Sequence, residues 1–125
     1  MIYTSELITN VATNNIDLAI EGLICLNNSE PTNNSPNEKR IEWAHYLCTY
    51  ARYVHLNTWA DCEPIERVAD EFVPELEKSE RLIARLLERR KELRFTKSQI
   101  HKLKRYKKNV TMRKNKLVRN YCGGL

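Results

Sequence analysis

"TKSQIHKLKRYKKNVTMRKNKLVRNY", residues 96–121, sets the reading of the whole chain, because it carries a helix start, an apolar stripe and a run of cations together. Thr96 stands three residues before Gln99, the spacing at which a hydroxyl and a side-chain amide each satisfy a free backbone N–H at a helix start. A helix is therefore expected from about Lys97. On a wheel of about 100° per residue with Lys97 at zero, Ile100, Leu103, Tyr106, Val110, Leu117, Val118 and Tyr121 fall between roughly 180° and 300°. Lys97, Lys102, Lys104, Arg105, Lys108, Arg113, Lys116 and Arg119 take the remainder, from about 340° round to 160°. Lys107 and Lys114 fall inside the apolar arc, where their stems can lie along it with the ammonium groups reaching out, and Met112 is the exception on the basic side.

The cations of this face have no relief within their own segment. Between Arg94 and Arg119 the sequence contains no acid, and unpaired like charges at i and i+4, such as Lys104 and Lys108, cost a few tenths of a kcal/mol each. A surface selected for solubility alone would mix signs. The unrelieved charge predicts an external polyanion, and nucleic acid, DNA or RNA, gains from such a face by releasing its condensed counterions. Gln99, Lys102 and Asn109 could reach base edges in a helix-turn-helix arrangement. Charge spread so evenly suits phosphates better, and phosphate contacts position without specifying a sequence. The competing readings are an ordinary surface helix, a helix lying on anionic lipid or an acidic protein, and an arm covered by the chain's own acids.

That last reading has substance, because the rest of the chain is acidic. Residues 1–75 hold 4 Lys+Arg against 12 Asp+Glu, residues 76–88 three of each, and residues 89–125 hold 14 against Glu92 alone, which leaves the chain at +5. With 125 residues and 42% apolar composition there is room for one small core. Only three glycines occur and two of them lie in the last three residues, so the punctuation that hairpins require is missing. The expected fold class is all-α, a small domain of about four helices.

Working outward from Thr96, Ile65, Val68, Ala69, Phe72, Leu76, Ile83, Leu86 and Leu87 share an arc of about 100°. They predict one helix over about 64–94, kinked on its solvent side at Pro74, interrupted in its stripe by Ser79 and Arg90, and joined to the basic helix by a very short turn. Ser35-Pro36-Asn37-Glu38 has the form of a second capping box and predicts a helix over about 36–56. Apolar residues from Ile8 to Ile24 predict a helix over about 3–26, which "TNN" at 13–15 could break into two, and the polar "NNSEPTNNSPNEK" between is a loop. Residues 1–95 thus form an acidic helical body and residues 96–125 a basic helix with a frayed end.

Other constellations carry less. Trp43, Tyr46, Tyr50 and Tyr53 form a stripe on the second helix, either core or a contact for a protein partner or a second copy, with Arg52 close enough to assist stacking on unpaired bases. His45, Cys48, His55 and Cys62 suggest zinc, but ten residues of helix separate His45 from His55 by about 15 Å, and no metal site is expected. Glu66, Asp70 and Glu71 could hold magnesium in a nuclease, yet no phosphate loop, nucleophile elbow or histidine-acid spacing accompanies them, so no enzyme and no cofactor is expected. The terminal Cys122-Gly-Gly-Leu125 lacks the aliphatic middle positions of a prenylation box. The dispersed cysteines read as reduced thiols and no run spans a bilayer, so the expected location is cytoplasmic, without membrane contact. The asparagine-rich, compact character suits a phage-like protein. The function expected is nucleic-acid binding in transcription or replication control, with a protein-interaction or inhibitor protein and a small metal-dependent nuclease as alternatives.

Overall fold

The computed structural model describes residues 16–61 and 68–119, and no strand occurs among them. Their order is α1 (Ile16–Asn27), α2 (Asn37–Asp61), α3 (Val73–Glu88), which is entered through a π-helical turn at Val68–Phe72, and α4 (Lys97–Leu117). The expected first helix over 3–26 is described from Ile16 onward, and residues 3–15 lie outside the described residues.

Side-chain contacts fix the directions of the helices. Trp43 of α2 donates its indole N–H to the Leu26 carbonyl at 2.8 Å, while Tyr50, two turns later, meets Gly22, one turn before Leu26, so α1 and α2 run antiparallel. A Cβ at Gly22 would stand 2.0 Å from the Tyr50 ring, which makes glycine the residue that lets these two helices approach. His45 packs on Tyr106 and His55 faces Arg113, so α2 and α4 run parallel. Glu80 meets Thr111 and Lys114 while Leu87 lies beside Lys104, so α3 and α4 are antiparallel. The result is an up-down-up-down bundle in which α2 and α3 each touch both α1 and α4, leaving α1 and α4 at opposite corners.

The core is filled by Leu23, Leu26, Leu47, Val54, Phe72, Leu76, Ile83, Leu103, Val110 and Leu117, all fully buried. Removing each such side chain from water contributes on the order of 1.5–3 kcal/mol. The α3 stripe read from the sequence is the buried stripe over Val68, Phe72, Leu76, Ile83 and Leu86. Ser79, which interrupts it, is buried for a reason. Its hydroxyl donates to Asn27 Oδ1 at 2.8 Å, and the Asn27 amide donates to the Glu75 carbonyl and carboxylate at 3.0 and 2.8 Å, tying the end of α1 to α3.

Four local expectations need correction, the simplest being that α2, expected over about 36–56, runs on to Asp61. The segment around Pro74 is not a uniformly α-helical rod with a kink: the wider π-helical turn at Val68–Phe72 precedes the proline, which sits exposed in the first turn of α3, where its missing N–H is least costly. The helix ends at Glu88 rather than 94, and residues 89–96 form the connection, with Arg94 at a φ of 57° and Phe95 turned into the core. Asn37 holds this connection by donating to the Leu93 carbonyl at 2.7 Å. Ser35 does not cap α2; its hydroxyl lies 3.2 Å from that of Thr32, and the Pro36 carbonyl accepts the first helical bond, from Lys39, at 3.1 Å. The preceding loop is organised instead by Arg40, a buried guanidinium that donates to the carbonyls of Thr32, Asn33 and Ser35. Among the described residues no helix is long and apolar enough to cross a membrane.

Candidate nucleic-acid interface

The start of α4 has the capping box that its sequence announces. The Thr96 hydroxyl accepts from the Gln99 N–H at 3.1 Å, and the Gln99 side chain accepts from the Thr96 N–H at 2.9 Å. Leu103, Val110 and Leu117 are fully buried and Tyr106 nearly so, with Ile100 and Val118 half-buried at the margin. The helix, about 31 Å long over its 21 residues, therefore has an anchored apolar face and an open one.

On the open face the predicted cations divide into two rows. Lys97, Lys104 and Lys108 lie within about 20° of one line and form an outer ridge, continued by Arg119 in the π-helical turn past the end of α4; all four are exposed. Lys102, Arg105, Arg113 and Lys116 lie at roughly 80–160° on the flank that turns toward α2. All of these except Arg113 are exposed. Arg113 is half-buried, and its Nη1 donates to His55 Nδ1 at 3.3 Å, since a guanidinium has no acceptor to offer. Its Nε is buried without a hydrogen-bond partner.

Among the described residues, no acid of the body forms an ion pair with this face. Among the described residues the ion pairs are Arg89–Glu92 at 3.0 Å and Lys114–Glu80 at 3.2 Å, and neither involves the ridge or the flank. Burial pushes the Glu80 carboxyl up, but the Thr111 hydroxyl and the Lys114 ammonium that donate to it, with Lys107 nearby, hold it below its usual value. Asp17, Glu21, Asp70, Glu71 and Glu75 line a groove of about 580 Å3 between α1 and the start of α3. That edge of the bundle is opposite the one formed by α2 and α4.

Between α2 and α4 lies a cleft of about 250 Å3. From α2 it takes His45, Cys48, Thr49, Arg52 and Tyr53; from α4 it takes Arg105, Tyr106, Asn109 and Arg113. The Arg105 guanidinium sits 5.4 Å from the Tyr106 ring centroid, and the His45 ring stands 5.4 Å from the same ring, tilted by 56°. Burial raises the Cys48 thiol against the pull of the Asn109 hydrogen bond and of Arg113, Arg105 and Arg52, so it stays protonated. Burial and Arg105 lower His45 against the opposing Glu42, and burial with Arg113 and Lys116 lowers His55 to about 4.

The remaining sequence candidates separate. Trp43, Tyr46 and Tyr50 are interior side chains, so the aromatic stripe is packing rather than a partner surface, and Tyr53 alone of the four is half-buried and lines the cleft. His45 and Cys48 share that cleft, and His55 lies further along α2 against Arg113. Cys62, Glu66 and Tyr121 lie outside the described residues, as does the terminal Cys122-Gly-Gly-Leu125. Among the described residues no three of His, Cys, Asp and Glu come together as metal ligands. The sequence reading overlooked the cleft itself, although Arg105, Asn109 and Arg113 at i, i+4 and i+8 form one row on α4. No family model matches the chain, and neither a curated protein nor a solved structure matches it.

Proposed function

We propose that this chain binds nucleic acid through the phosphate backbone, with Lys97, Lys104, Lys108 and Arg119 as the principal contacts and Lys102, Arg105 and Lys116 beside them. The observation that carries the reading is the open cationic face of α4, whose ridge and flank have no carboxylate partner among the described residues. Burying the opposite face of α4 fixes these charges in place before any ligand arrives, so binding does not have to order the helix. Transcription or replication control in the cytoplasm, by a binding rather than a catalytic role, belongs to the same proposal.

The test is fluorescence anisotropy with duplex DNA, single-stranded DNA and RNA over a range of salt. Four ridge contacts on a duplex predict that log K falls with log salt at a slope of roughly −3.5, and flank contacts make it steeper. Reversing Lys104 and Lys108 to glutamate is expected to weaken binding to every sequence about equally and to flatten that slope by about two, with the helical circular dichroism unchanged. Affinity indifferent to salt, or lost for one sequence alone, would overturn the phosphate reading.

A further inference from the structure

The α2–α4 cleft has a composition that its packing role does not explain. Three guanidinium groups from two helices, those of Arg52, Arg105 and Arg113, line one small cavity, and among the described residues no carboxylate pairs with any of them. Collecting like charges beside a partly buried wall is unfavourable unless something of opposite sign is received there. Cys48 stays protonated under burial, so the lining has no anion of its own. The Arg113 Nε adds a specific demand. A buried donor left without an acceptor costs about 1–3 kcal/mol, and here it belongs to a guanidinium already anchored through Nη1 on His55.

We infer that this cleft binds a phosphomonoester, the phosphate of a nucleotide carrying two charges, held by Arg52, Arg105 and Arg113. A small turn of the Arg113 guanidinium about its His55 anchor would bring Nε and Nη2 onto two phosphate oxygens, the bidentate geometry that guanidinium and phosphate share. Arg105, held over the Tyr106 ring, and Arg52, on the facing helix, would neutralise the remaining charge. A monoester carries about −1.5 to −2 near neutral pH against one charge on a diester, so three cations without a counter-acid favour the monoester. The volume of about 250 Å3 admits a phosphate and its sugar. The same chemistry is offered by the 5′-phosphorylated end of a strand and by a free nucleotide.

This site does not depend on the ridge, and the full-length chain can separate the two. Titration calorimetry with adenosine 5′-monophosphate, with adenosine as the control, reads the free nucleotide. Anisotropy with one oligonucleotide bearing either a 5′-phosphate or a 5′-hydroxyl reads the strand end. The expected result is binding of the monophosphate but not adenosine, or about tenfold tighter binding of the phosphorylated strand; the first alone identifies a free nucleotide as the source, the second a strand end. Arg52→Gln, at an exposed position, is expected to remove that preference while the Lys104→Glu/Lys108→Glu protein retains it. The inference is overturned if neither probe distinguishes the phosphate, or if the preference survives both Arg52→Gln and Arg105→Gln in folded protein.

Discussion

Arg94 ends the turn between α3 and α4 with a φ of 57°, a conformation that presses an L side chain's Cβ toward the backbone. The chain accepts this because the reversal delivers Phe95 to the core and Thr96 to its cap. Arg94→Gly is expected to raise stability by about 0.5–1 kcal/mol, seen as a thermal midpoint a few degrees higher, because glycine adopts the same backbone without that contact. His55 works in the opposite sense. With a native pKa of about 4 against an ordinary 6.5, the unfolded chain takes up a proton first as pH falls, so stability is fully present above about 6.5 and is lost toward 4. The groups that face it on α4 are Arg113 and Lys116. Denaturant melts at pH 7 and pH 5 should therefore differ by about 1–2 kcal/mol, with much of that difference absent in His55→Gln.

At the level of elements, a polar junction helps hold α4 to α3, the Glu80 carboxylate between the Thr111 hydroxyl and the Lys114 ammonium. Because these donors keep the Glu80 carboxyl below its usual value, the junction contributes above the carboxylate range and is lost as pH falls through the lowered value. Glu80→Gln should cost about 1 kcal/mol at pH 7 and progressively less as pH falls through the lowered value of the native carboxyl. What the sequence discloses about elements follows the range of the forces involved. The start of α4 is legible because Thr96 and Gln99 need only each other, and the α3 stripe because burial repeats along one helix. The end of α3 is not, since it is set by Phe95 entering the core and by Asn37 reaching the Leu93 carbonyl from another helix. Pro74 is compatible with both a kink and a wide turn, and only the packing of Phe72 and Val68 selects between them. The cleft stayed hidden for a related reason: a wheel places Arg105, Asn109 and Arg113 in a row but has no knowledge that α2 runs parallel beside them with Arg52.

For the molecule as a whole, the position of α1 and α4 at opposite corners bears, under the proposed function, on how many polymers one copy would hold. When α4 engages a strand as proposed, the groove lined by Glu21, Asp70 and Glu75 between α1 and the start of α3 leaves that edge of the bundle negative. A second strand meets repulsion there rather than another foothold. Light scattering of the protein with long duplex DNA should accordingly plateau once the strand is coated, with no rise from cross-linked aggregates as protein is added. Reversing those carboxylates to lysine should give a second adhesive side and turn the same titration cloudy. Under the proposed function, the bundle's geometry would make a sheath of the protein instead of a glue.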